Sequence, residues 1–392
     1  MFERAKKVQP KVARELSRHI ENGTLPRSLL FSGNEYTFRL TTALETVSAL
    51  TNESLYKNTS NIFLFLSRDI TIDFEAKVNL YLYSLTESSF LRAKDALLRM
   101  VLSVLYSSLR SADSSKAMID KEKEAELLTI FSFVSDSSSA QEKSVQNNFR
   151  RAKEIVSEIK SQSAFSIDDV RLFKETSQLY SNNNKGKFFI IEGLSKASNS
   201  AKNAFLKLLE EPPENTYFFI IEKDKAELGE TLLSRLSPFN FRDIGASLKN
   251  EIIASYNDDG RLYDNLSDFF LEKGFEESAE IKKLASECGR YLFSKQTNAL
   301  SERNSARLCV KKIFGKTGNF LFYTMNVFNI FLSELLFSFR HFLNERSELL
   351  MIAPKVMALL DDAKKSVVSY NQNPRNVLFV LIDNIQNLCY NI

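Results

Sequence analysis

The chain has 392 residues, 44% of them hydrophobic and 26% charged, a length that suits two or three domains with ample apolar area for a core. Its net charge of +3 is too small to argue by itself for a nucleic-acid partner. Three widely spaced cysteines, Cys288, Cys309 and Cys389, exclude a disulfide framework and offer no paired metal ligands, so a cytoplasmic setting without a structural metal is expected.

Residues 1–25 predict a helix with Val8, Val12, Leu16 and Ile20, or Ala13, on one side, closed by Asn22 and Gly23. This charged, amphipathic start holds no apolar run of the signal-peptide kind. Residues 27–31 (RSLLF) read as a short buried strand, and residues 61–66 (NIFLFL) as the next. From about residue 69 to 163 the pattern is helical at first, with Leu82, Leu85, Phe90, Leu97, Leu98, Val101 and Leu105 apolar. Residues 107–115 and 135–144 are serine-rich and predict loops, and a helical hairpin packed on the core is the simplest form for the whole stretch, a lineage-specific partner site being the alternative. Ser166 with Asp169 is a capping-box pattern that opens another helix.

The most informative stretch is residues 187–242. Two apolar runs, 188–191 and 217–221, bracket a segment in which Ala201, Ala204, Phe205, Leu208 and Leu209 recur on one helix face. A Ser/Asn cluster at 198–200 can cap its start, and Pro212 with Pro213 stops it by driving Glu211 out of helical geometry. Strand, crossover helix and strand make a βαβ unit of a parallel sheet.

This segment, NAFLKLLEEPPENTYFFI, followed downstream by LLSR, resembles the signature of bacterial DNA polymerase III clamp-loader subunits of the AAA+ family, most closely the delta-prime kind. The resemblance implies an α/β fold: an AAA+ parallel-sheet domain with a long helical insertion, a small helical lid domain and an all-α collar domain. The boundaries expected are residues 1–242 (insertion about 69–163), 243–297 and 298–392.

In an ATP-binding member a phosphate loop G-x-x-x-x-G-K-[ST] follows the first strand, its glycines admitting phosphate to the backbone, its Lys reaching the phosphates and its hydroxyl holding Mg²⁺. Here Gly33 matches the first glycine, but Phe38, Arg39 and Leu40 stand at the last three positions. The strand at 188–191 should end in Asp-Glu, for the metal and the attacking water; Glu192 and Gly193 stand there. Glu222 and Lys223 replace the threonine that would sense the γ-phosphate. The expectation is therefore no intrinsic ATPase and no bound cofactor.

Ser234-Arg235 keeps the first two residues of the family's Ser-Arg-Cys motif, with Leu236 in place of Cys. In the family that arginine is a finger acting in trans on a neighbour's ATP site, a task suited to a planar, always charged guanidinium. The alternative is an ordinary surface arginine paired with Glu230 or another carboxylate. No cysteine lies between residues 51 and 187, so the family's zinc module is absent.

Beyond Arg242 the pattern is helical, with a turn at 257–260 and Leu266, Phe269, Phe270 and Phe275 apolar. Arg290 after Gly289 is the nearest match to a lid arginine. Residues 317–333 carry no charge, but Asn319, Asn326 and Asn329 interrupt them, so a buried helix with Leu321, Met325, Phe328, Leu332 and Leu335 as its stripe is expected rather than a membrane span. His19 and His341 read as helix-face residues.

The resemblance implies a non-hydrolysing stator that joins gamma/tau-type ATPase and delta subunits in a hetero-pentamer, meeting primed DNA and the sliding clamp through that complex. Two alternatives remain open: a gamma/tau-type ATPase with a variant loop, and an AAA+-derived interaction protein outside replication.

Overall fold

A computed structural model describes residues 2–57, 59–110, 117–159, 164–178, 186–256, 263, 266–274, 278–293, 299–315, 321–368, 370 and 372–390. The turn expected at 257–260, Phe275, Asn319 and most of the loop expected at 107–115 lie outside the described residues. Packing divides the chain into two compact units, Met1–Ser267 and Asp268–Ile392. The finer division at 242 and 297 stays a proposal.

The first unit is built on five strands: β1 (Ser28–Ser32), β2 (Ile62–Leu66), β3 (Lys187–Glu192), β4 (Thr216–Glu222) and β5 (Ser237–Asn240). They form one sheet in the order β2-β3-β4-β1-β5, every pairing parallel. Every residue of β1, β2 and β3 is buried, which is why these strands read as continuous apolar runs rather than alternating ones. This is the α/β parallel-sheet class expected from the residue pattern.

Where one helix was expected at the start, two form: α1 (Glu3–Val8) and α2 (Pro10–Glu21). Pro10 is the cause, because a residue before proline is driven from helical geometry and Gln9 sits at φ −130°, ψ 63°. After β1 comes α3 (Arg39–Thr51). Between β2 and β3 lie α4 (Thr71–Ser84), α5 (Glu87–Arg110), α6 (Lys121–Asp136), α7 (Lys143–Ser157) and α8 (Ile167–Gln178). The stretch 69–163 is thus more than a hairpin: α4 to α7 join Phe74, Tyr81, Phe90, Leu97, Phe131 and Phe149 to the core beneath the sheet. α5 runs through Ser107 to Arg110 because Leu102, Val104 and Tyr106 stay buried to its end. At the start of α8 the Asp169 carboxylate accepts from the Ser166 N–H at 2.6 Å, the acidic half of the expected capping box.

β3 and β4 are joined by α9 (Asn199–Glu210), whose first turn is capped as expected, the Ser198 hydroxyl accepting from the Ala201 N–H at 3.2 Å. Ala201, Phe205, Leu208 and Leu209 are buried and Ala204 is half-buried. Glu211 leaves helical geometry at φ −126°, ψ 69° before the two prolines. The short α10 (Glu230–Leu233) precedes β5, and α11 (Ala246–Ala254) follows it.

The regular elements described in the second unit are helices: α12 (Leu266–Gly274) starts at the boundary, followed by α13 (Ser278–Phe293), α14 (Ala299–Gly315), α15 (Leu321–Glu345), α16 (Ala353–Val368) and α17 (Pro374–Tyr390). Phe328, Leu332 and Leu335 of the expected stripe are buried; the side chains of Leu321 and Met325 lie outside the described residues. Among the described residues no helix is long and apolar enough to cross a membrane. Gly289 is a packing residue: a Cβ there would stand 2.6 Å from the Cβ of Ser338, where α13 meets α15. That close approach accounts for a glycine at this position.

Candidate functional site

The carboxyl ends of β1, β4 and β3 lie side by side, with Ser32 level with Glu222 and Ile221 level with Glu192. In open parallel sheets the crevice beyond these ends is where ligands bind. The chain leaves β1 at Gly33, where a Cβ would meet the Phe241 carbonyl oxygen at 2.6 Å, so only glycine fits. The loop then turns left-handed twice, at Tyr36 (φ 58°) and Phe38 (φ 70°), before α3 begins at Arg39. Phe38 thus holds a backbone shape natural to glycine, at a cost of about 1–2 kcal/mol.

The loop is tied on both sides. The Thr37 hydroxyl donates to the Asn34 carbonyl at 2.7 Å, and the Thr42 hydroxyl donates to the Phe38 carbonyl at 2.8 Å. Asn34 donates to Asp243 at 2.8 Å, and the Gln9 amide donates to the carbonyls of Thr37 at 3.3 Å and Arg242 at 2.7 Å. The break that Pro10 imposes is what aims Gln9 at this loop.

Four charged groups face one another behind the loop. Arg39 is buried, and its Nη1 has no hydrogen-bond partner. Burial lowers its pKa, with Glu192, Glu35 and Glu222 acting against that shift and Arg68 adding to it. Arg68, just past β2, sets its Nε 2.9 and 3.1 Å from the two carboxylate oxygens of Glu192. Burial works against the Arg68 charge, but Glu192 and Asp73 more than offset it and hold its pKa above the ordinary value. Glu222 is buried at the end of β4, which pushes its pKa up, while Ser195 partly offsets this by donating its N–H at 2.7 Å and its hydroxyl at 2.9 Å.

As a place for a magnesium nucleotide, these residues do not fit. Leu40 is buried and offers no oxygen, and Phe38 puts a side chain where phosphate would approach. Glu192 already has a cation in Arg68. Gly193 (φ +84°) has the Ser67 hydroxyl 2.0 Å from where a Cβ would stand, so no acid can be placed there without moving Ser67. Among the described residues no group of three or more His, Cys, Asp or Glu could hold a metal ion.

The helices between β2 and β3 reach this site. Arg99 of α5 donates from Nη2 to the Thr41 hydroxyl of α3 at 2.7 Å, and Asp73 of α4 pairs with Lys77 at 2.6 Å and with Arg99 at 4.0 Å. Burial pushes Lys77 down to about 8, with Asp73 opposing it. Sequence reasoning missed Ser67, Arg68, Asp73, Lys77, Arg99 and Ser195. The one available signal was Arg68-Asp69 directly after a wholly apolar strand.

Ser234 and Arg235 stand apart from that crevice, in the turn after α10. Arg235 sets Nε 2.9 Å from Glu210 Oε1, with Nη2 on the same oxygen, and donates from Nη1 to the Thr231 carbonyl at 2.9 Å and to the Ser234 hydroxyl oxygen at 3.1 Å. Its side chain is 34% exposed and that of Glu210 48%. The carboxylate partner is therefore Glu210, the first acid of Glu-Glu-Pro-Pro, and not Glu230; Leu236 is buried beside it. His19 meets the Thr24 hydroxyl at 3.1 Å and His341 meets Glu345 at 3.3 Å, and both sit on helices.

Residues 112–245, about a third of the chain, match the family described as DNA polymerase III, delta subunit. The match begins inside the stretch expected as an insertion, so α6 and α7 fall within it. The delta-prime subunit of DNA polymerase III from Buchnera aphidicola (of Schizaphis graminum) is 37% identical over 71 residues, 18% of this chain and 22% of that protein. The delta-prime subunit from Haemophilus influenzae is 35% identical over 88 residues, 22% of this chain and 25% of that protein. The chain thus spans about a quarter or less of the curated relatives it matches. The crystal structure of a DNA polymerase III gamma subunit-related protein from Thermotoga maritima superposes with a TM-score of 0.44 at 14% identity, covering 96% of this chain and 99% of that one. Through residues 112–245 the chain is similar to the DNA polymerase III delta-subunit family, and over 71 to 88 residues to delta-prime subunits.

Proposed function

We propose that the chain is a non-hydrolysing, delta-prime-like clamp-loader subunit that acts as a stator and supplies Arg235 in trans to a neighbouring ATPase. Its partners are then gamma/tau-type and delta subunits in a hetero-pentamer, with primed DNA and the sliding clamp met through the complex. The helical second unit is the part that suits a collar. One observation carries this reading: the Ser234-Arg235 turn lies on the surface with its guanidinium partly exposed, while the crevice of the same unit holds the Arg68–Glu192 ion pair.

The roles follow from the chemistry of each group. A surface guanidinium offers forked donors to a phosphoryl group that gains charge in transfer, and it stays positively charged throughout. The crevice does the opposite work. Arg68 is neutralised from within by Glu192, and the carboxylates at the ends of the crevice's strands are Glu192 and Glu222.

The test is ATP turnover, stimulated by DNA and clamp, in a ring reconstituted from the cognate ATPase and delta subunits. The ring is assayed with this chain, without it, and with Arg235→Ala. Arginine fingers contribute about three to five orders of magnitude in the strongest cases, and a ring with several sites shows less. Turnover that needs the chain and drops with Arg235→Ala, assembly being retained, supports the reading. Equal turnover with the variant reduces the chain to a scaffold. Micromolar ATP binding by the isolated chain would favour a variant ATPase instead.

A further inference from the structure

We infer that Glu210 is a positioning residue that biases Arg235 toward a retracted position on its own subunit, a bias that a neighbour's phosphate overcomes. The inference rests on the arginine-finger reading above and adds a regulator to it.

Arg235 has five N–H donors in a fixed fork. Four are in use: Nε and one of Nη2 on Glu210 Oε1, and both of Nη1, on the Thr231 carbonyl and the Ser234 hydroxyl. A guanidinium in that state cannot make a forked contact with a phosphoryl group in another subunit. It must first leave Glu210, whose single charge competes with the several charges of a nucleotide triphosphate. The contact joins the last residue of α9 to the turn after α10. At the other end of α9, Lys202 donates to the carbonyl of Ser195, which holds Glu222, so α9 has a contact at each end, one with the arginine and one with the crevice.

The exposure of both partners limits the size of the effect. A surface ion pair of this kind biases an equilibrium by at most about fivefold. Glu210 is therefore a weak restraint that a docked nucleotide overcomes, and its effect is confined to rings in which docking is incomplete.

The test uses the reconstituted ring with this chain as wild type, Glu210→Gln, Arg235→Ala and the double variant, each assayed with and without DNA and clamp. Glu210→Gln keeps the side-chain shape and removes the charge. The expected result is an unstimulated rate raised about two- to fivefold with little change in the stimulated rate, and a double variant no faster than Arg235→Ala. If Arg235→Ala lowers turnover but Glu210→Gln leaves or lowers both rates, the restraint is overturned while the finger stands. If Arg235→Ala changes nothing, the finger reading falls and takes the restraint with it. In the isolated chain the Arg235 Nε–H NMR resonance should shift with Glu210→Gln; an unmoved resonance would overturn the contact independently of the ring.

Discussion

Arg68 lies across the end of β3 with its Nε 2.9 and 3.1 Å from the two carboxylate oxygens of Glu192, so a guanidinium holds the acid that strand presents to the crevice. It comes from the loop after β2, the neighbour of β3 in the sheet. Asp73, on the helix that follows, favours the Arg68 charge. The acid at the end of β3 is thus occupied by a cation that the loop residues Phe38, Arg39 and Leu40 do not supply.

Restoring the loop alone is expected to leave ATP unbound. A Phe38→Gly, Arg39→Lys, Leu40→Thr variant recovers the loop pattern but keeps Arg68 on Glu192 and a glycine at 193. Calorimetric titration with magnesium ATP should show nothing tighter than about 1 mM, and micromolar binding would mean that Arg68 yields its place readily.

Gly193→Ala should destabilise the first unit by about 2–4 kcal/mol, part from the left-handed backbone and part from the clash with Ser67. In a Ser67→Gly background the loss should fall to about 1–2 kcal/mol, since only the backbone term remains. Urea unfolding followed by circular dichroism measures both, and equal losses in the two backgrounds would sink the steric account.

The Asp73 cluster should make stability depend on pH at both ends. Burial pushes the Asp73 pKa up, but Lys77 and Arg99 more than offset this, so it lies below the ordinary 3.8. Its stabilisation is present above pH 3.8 and is lost as pH falls from there through the folded-state value. Lys77 is depressed from 10.5 to about 8, so between those values the unfolded chain binds more protons and stability rises with pH. Asp73→Asn should cost about 3–5 kcal/mol at neutral pH, because it leaves Lys77 and Arg99 buried without their carboxylate, and it should flatten the acid limb. Lys77→Met should remove the rise between pH 8 and 10.5; a rise that survives the substitution would assign it elsewhere.

In the helical unit, Gly289→Ala places a Cβ 2.6 Å from that of Ser338. Higher helix propensity gains about 1 kcal/mol and overpacking costs about 1–3 kcal/mol, so a net loss is expected. Ser338→Gly combined with it should recover stability. A Gly289→Ala variant more stable than wild type would show that α13 and α15 separate easily.

Much of the fold was legible in the residue pattern. Strands buried on both faces betray themselves as unbroken runs such as NIFLFL and FFII, and α9 announces both of its ends through Ser198 and the Pro pair. The first helix was misread as continuous because its apolar spacing runs on through Pro10, a local veto that periodicity does not register. The stretch that forms α4 to α7 was legible as helical, but not as four helices sharing the core of the sheet, since burial against a distant element leaves no local mark.

The crevice divides along the same line. The residues at 33, 38–40, 192 and 193 were legible because they follow strand ends, and the expectation that they do not serve ATP rests on side-chain type alone. What occupies the site was decided by the parallel sheet, which sets β2 beside β3 and so brings Arg68 across 124 residues of chain to Glu192. The same holds for Arg235, whose exposure and motif were written locally but whose carboxylate, Glu210, lies 25 residues back. Residue identity states which charges a chain carries; only the folded backbone settles which of them come within hydrogen-bonding distance, because ion pairing falls off over a few ångströms and sequence separation does not measure that distance.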